Sequence, residues 1–124
     1  MPKYLAIATG LVLLGLVPAR AAASSSKLVG SVGAGGSVSL RTASGAAVKT
    51  LRHGSYEIVV RDRSSRQNFH LYGPTKLSLV RPVNRKTTIA FVGTKTWTLR
   101  LRAGTYRYYS DAPGGPRKRT FRVT

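Results

Sequence analysis

The chain has 124 residues, enough for one domain, and sets 21 Lys and Arg against 3 Asp and Glu, a net charge of +18. Its carboxylates, Glu57, Asp62 and Asp111, supply no pair for glycosidase-type acid–base work and no oxygen cage for calcium or magnesium. The absence of Cys removes thiolate nucleophiles, disulfides, iron–sulfur clusters and zinc fingers, while a hydrophobic share of 42% calls for a folded core held by packing alone.

In chain order, Lys3 precedes a mostly apolar run, Tyr4 to Val17, and Pro18-Ala-Arg-Ala-Ala-Ala23 ends in an Ala-x-Ala processing pattern. This predicts a secretory signal peptide over residues 1–23. The run would span about 21 Å as a helix, short of the roughly 30 Å of a hydrocarbon core, so no membrane span is expected after processing. Loss of Lys3 and Arg20 leaves 19 basic residues against 3 acids on residues 24–124, a net +16.

Residues 24–37, rich in Ser and Gly, read as a flexible lead. Gly33-x-Gly35 lacks the third glycine and the following helix of a phosphate loop. From Val38 the period is two: Val38 and Leu40 alternate with Ser39 and Arg41, Tyr56, Ile58 and Val60 with Glu57, Val59 and Arg61, and Trp97, Leu99 and Leu101 with Thr98, Arg100 and Arg102. Turn clusters separate these runs, among them Ser44-Gly45, Gly73-Pro74 and Pro113-Gly-Gly-Pro116. No segment carries a sustained helical period. Residues 38–124 are therefore expected to form an all-β, antiparallel β-sandwich. Leu51-Arg-His-Gly-Ser-Tyr56 returns as Leu101-Arg-Ala-Gly-Thr-Tyr106, which points to two tyrosine corners, each with a phenol hydroxyl bonded to upstream backbone as in Greek-key sandwiches.

The segments Gly54 to Pro74, Thr96 to Leu101, Gly104 to Asp111 and Thr120 to Val123 resemble the small secreted bacterial cupredoxins, the plastocyanin-like β-sandwich family. The most specific part is Asp62-x-Ser64 followed by Asn68-Phe-His-Leu71 and Gly73-Pro74. The resemblance implies a cupredoxin-like Greek-key fold with His70 as the first copper ligand, and it places the remaining ligands at Ser110, Pro113 and Arg117. A mononuclear copper electron-transfer site needs a thiolate, two imidazoles and a weak axial thioether. A serine hydroxyl, a proline and a guanidinium supply none of these. His70 is then the one retained ligand position, and a hydrogen-bonded structural histidine is expected there, with no cofactor. Copper binding and electron transfer remain as the alternative that the family implies.

A Ser110–His70–Asp111 hydrolytic triad fails on parity. Tyr106, Tyr108 and Ser110 share the inward face of one strand, whereas Asp111 faces the other way. No enzymatic constellation remains. Basic residues decorate wet strand faces and loops, with a cluster at Arg117-Lys118-Arg119 as the anion-binding candidate, and a field of this strength favours polyanions. The expectation is an exported monomer that binds an envelope polyanion or an acidic protein partner, with no sequence-specific nucleic-acid site. Most aromatics belong to the core. Tyr72 and Tyr109 are the exposed rings on which a flat group could stack.

Overall fold

The computed structural model describes residues 26–75 and 81–124, and none of these is helical. The signal peptide expected at residues 1–23 lies outside the described residues. Nine strands follow one another: β1 (Ser26–Val32), β2 (Val38–Thr42), β3 (Thr50–Leu51), β4 (Gly54–Asp62), β5 (His70–Gly73), β6 (Val83–Lys86), β7 (Gly93–Leu101), β8 (Gly104–Tyr109) and β9 (Arg119–Val123). They form a four-stranded sheet, order β2-β1-β4-β7, and a five-stranded sheet, order β3-β9-β8-β5-β6, which enclose one core as a β-sandwich.

Alternation decides which side chains enter the core. Leu28 and Val32 of β1, Val38 and Leu40 of β2, Tyr56, Ile58 and Val60 of β4, and Trp97, Leu99 and Leu101 of β7 are buried on the inner face of the first sheet. Leu71, Tyr106, Tyr108, Phe121 and Val123 answer them from the second. Phe69 joins the two groups. Its ring lies 6.2 Å from Trp97 and 5.9 Å from Tyr108, centroid to centroid.

Two expectations need correction. Residues 24–37 are not a flexible lead throughout, because Ser26–Val32 is an internal strand paired with β2 on one side and β4 on the other. Its alternation is concealed at Gly30, whose inward position is filled by Phe69: a Cβ there would meet the ring at 2.9 Å. Only the turn that follows is glycine-built, closed by Gly33 N–H donating to Ser37 O at 2.8 Å and by Gly36 at φ 96°. The second correction concerns pairing. The sheets are mixed, since β1 runs parallel to β4 and β3 parallel to β9, although every other ladder is antiparallel.

Both corners form as the repeat suggested. Tyr56 donates its hydroxyl to Arg52 O at 2.6 Å. Tyr106 donates to Arg102 O and accepts from Arg102 N–H, both at 2.9 Å. The glycines of the repeat, Gly54 and Gly104, hold φ of 150° and 143°, where a side chain would be strained. Burial pushes the Tyr106 phenol above its ordinary pKa against the opposing backbone bond from Arg102 and that residue's charge.

Candidate functional site

The segment from Asp62 to His70 is held by two linked polar clusters. Asp62, 1% exposed, accepts from Ser64 N–H at 3.0 Å and from the Thr87 hydroxyl at 3.1 Å. Ser64 in turn takes the N–H groups of Arg66 and Gln67 at 3.1 Å each. Burial pushes the Asp62 carboxyl up against these two stabilising bonds. Asn68, also buried, joins β5 to the chain after β8. Its amide donates to Thr87 O and to Asp111 Oδ2, its oxygen accepts from Asp111 N–H at 2.7 Å and from the Ser110 hydroxyl, and its own N–H donates back to Ser110 Oγ.

His70 points away from the core. It is paired with Tyr109 on β8 and with Lys86 on β6, so the three side chains form one row on the outer face of the five-stranded sheet. Its Nδ1 donates to Asp111 at 2.8 Å, and Nε2 lies 2.6 Å from Asn84 Oδ1. The neighbouring row holds Arg107, Tyr72 and Asn84. At Asp111 burial works against ionisation. Hydrogen bonds from Asn68 and His70, with the imidazole and the Lys86 ammonium nearby, outweigh it and bring the carboxyl below its ordinary value.

The predicted site residues scatter accordingly. Ser110 is buried and bonded to Asn68, facing the opposite way from Asp111 as parity required, while His70 sides with Asp111 and Asn84. Ser110, His70 and Asp111 do not line up as a hydrolytic triad, since Ser110 bonds Asn68 while His70 bonds Asp111 and Asn84. Pro113 and Arg117 are exposed on the loop between β8 and β9. The other histidine, His53, sits at a corner and is 2.9 Å from Thr124 O through Nδ1. Among the described residues no three His, Cys, Asp or Glu side chains gather as a metal-holding group. One imidazole with both nitrogens engaged, and no thiolate beside it, does not fit a cupredoxin copper centre.

One loop cation reaches the outer face of the five-stranded sheet. Lys118 Nζ stands 4.8 Å from the centroid of Tyr109, whose ring packs 4.7 Å from that of His70. Arg117 and Arg119 are exposed on either side of Lys118. Burial and Asp111 push the Tyr109 phenol up, Arg107 opposes them, and Tyr72 adds to the rise, so these groups share one electrostatic neighbourhood. Tyr72 and Tyr109 are both half-buried on the outer face, the latter as its parity implied. Sequence reasoning missed Lys86, Arg107 and Asn84 as their neighbours, because only strand register brings those residues together. The role of Asn68 likewise rests on partners more than 40 positions away. The chain matches no family model, and no curated protein matches it.

Proposed function

We propose that this chain is an exported, cupredoxin-like Greek-key domain that works without copper, as a polyanion-binding module. The observation that carries the reading is the placement of its three carboxylates. Asp62 is spent inside, Glu57 faces Lys27 at 3.7 Å, and Asp111 is held by Asn68 and His70. Among the described residues, the basic side chains in contact with a carboxylate are Lys27 and His70 only, so no described arginine has an internal counter-ion. A surface of this kind attracts phosphate, sulfate or carboxylate polymers through its summed field, and the Arg117-Lys118-Arg119 cluster leading into β9 adds to that field, with Lys118 over the five-stranded sheet.

Retention of the purified protein on an immobilised polyphosphate matrix tests this. Affinity is expected to fall linearly with salt on logarithmic axes. Changing Arg117, Lys118 and Arg119 together to Gln is expected to lower that slope by about 2 to 3 units. Unaltered retention would remove the loop from the site. Copper titration addresses the family's alternative: no stoichiometric copper is expected, and one tightly held ion lost in His70→Ala would restore it.

A further inference from the structure

Among the described residues positive charge is spread widely, whereas two tyrosine rings on neighbouring strands reach the surface together on one sheet face. On the outer face of the five-stranded sheet, Tyr109 of β8 and Tyr72 of β5 occupy diagonal positions, since Tyr109 pairs with His70 and Tyr72 with Arg107. Diagonal positions on neighbouring strands lie about 7–8 Å apart, within reach of adjacent nucleotides in an extended strand. β8 and β5 are interior strands of that sheet, so the rings stand on rigid elements. Each ring has a cation beside it: Lys118 over Tyr109 and Arg107 across from Tyr72, with Lys86 at the end of the His70 row.

We propose that this face binds single-stranded nucleic acid, with Tyr72 and Tyr109 stacking unpaired bases and Arg107, Lys86 and Lys118 taking the phosphates. The proposal rests on the polyanion reading and narrows it. A ring-free polyanion needs the cations alone, whereas alternating rings and cations match a ligand that alternates flat bases with charge. The Lys118 ammonium rides on a flexible stem, so it can leave the Tyr109 face for a phosphate when a base takes the ring. Hydrogen-bond groups aimed at base edges are not needed for this mode, so binding is expected to be indifferent to sequence. His70 is a positioning residue that braces Tyr109 from below the ligand.

The test uses the purified protein, a labelled oligothymidine of about 12 nucleotides, the matching duplex, and polyphosphate of equal charge. Oligothymidine is expected to bind about tenfold more tightly than polyphosphate at the same salt. Tyr72→Ala, checked for folding by its thermal melt and backed by Tyr72→Leu, is expected to weaken oligothymidine about fivefold or more and to leave polyphosphate unchanged. Arg107→Gln is expected to weaken both and to lower the salt slope by about 1 unit. Arg41→Gln, an equal charge change on the other sheet, is expected to do less. Equal affinity for oligothymidine and polyphosphate, preference for the duplex, or no effect of either Tyr72 variant would overturn the stacking proposal and leave polyanion binding standing. Failure of every polymer to bind at low salt would remove both.

Discussion

The two outer faces of the sandwich obey the same alternation and present different chemistry. On the four-stranded sheet the rows run Arg41, Val29, Val59, Thr96 and Ser39, Ser31, Arg61, Thr94, small side chains with a guanidinium at intervals. On the five-stranded sheet they run Tyr109, His70, Lys86 and Arg107, Tyr72, Asn84. Both faces are basic, and only one carries rings. Charge therefore says that an anion is wanted somewhere, while the aromatic residues say where a flat one would rest.

The largest expected effect breaks the support beneath the aromatic face. Asn68→Ala strips partners from Thr87 O, Ser110 and Asp111 at once. It is expected to cost about 3 kcal/mol in urea denaturation, more than any single polar change on the four-stranded sheet. A loss under about 1 kcal/mol would mean that the Asn68 cluster does not hold the face.

The two tyrosine corners sharpen the comparison, because one belongs to each sheet. Tyr106→Phe removes two backbone bonds from a fully buried hydroxyl and is expected to cost about 2 kcal/mol. Tyr56→Phe removes one and should cost about 1 kcal/mol. In a domain of this size the difference is roughly 4–8 °C in melting temperature. The reverse order would show that hydroxyl bonding is not what ranks the corners.

Acid separates the sheets by sign. Asp111, held below its ordinary value, stabilises the fold at neutral pH, and that contribution is lost as pH falls from about 4 through its lowered folded value. Asp62 is raised, so its contribution is present in acid and fades as pH rises through its folded value. Asp111→Asn is expected to flatten the acid limb of a urea-midpoint profile, and an unchanged limb would count against the Asp111–His70 contact as a source of stability. Smallest of all is Glu57→Gln on the four-stranded sheet, where an exposed pair with Lys27 is expected to contribute under about 0.5 kcal/mol by thermal melt.

Much of the fold could be read from residue spacing. The inward sets Tyr56-Ile58-Val60 and Trp97-Leu99-Leu101 sit where alternation put them, and the repeated Leu-Arg-x-Gly motif marked both corners. β1 escaped because its middle inward position is a glycine filled by a ring from distant Phe69, which makes a core strand look like a linker. The parallel ladders escaped for a related reason, since local periodicity carries no strand direction. At the site, parity placed Tyr109 outward, while the local bond from Ser64 N–H to Asp62 was not foreseen. The contacts of Asn68 with Ser110 and Asp111 bridge more than 40 positions, so no local pattern could show them.

The position of β1 also governs the order of assembly. β1 and β2 meet through a short turn and can zip as a hairpin in about 1–10 μs. The parallel partner β4 begins more than twenty residues beyond the end of β1, and until it arrives the second edge of β1 has no ladder to join. Closing the sandwich then waits on distant pairings such as β3 with β9 and β5 with β8. Such a topology folds on a timescale of about milliseconds to seconds. During that interval the backbone N–H and C=O groups on the facing edges of β1 and β4 are unpaired, and the net charge of +18 opposes the approach of a second chain to them.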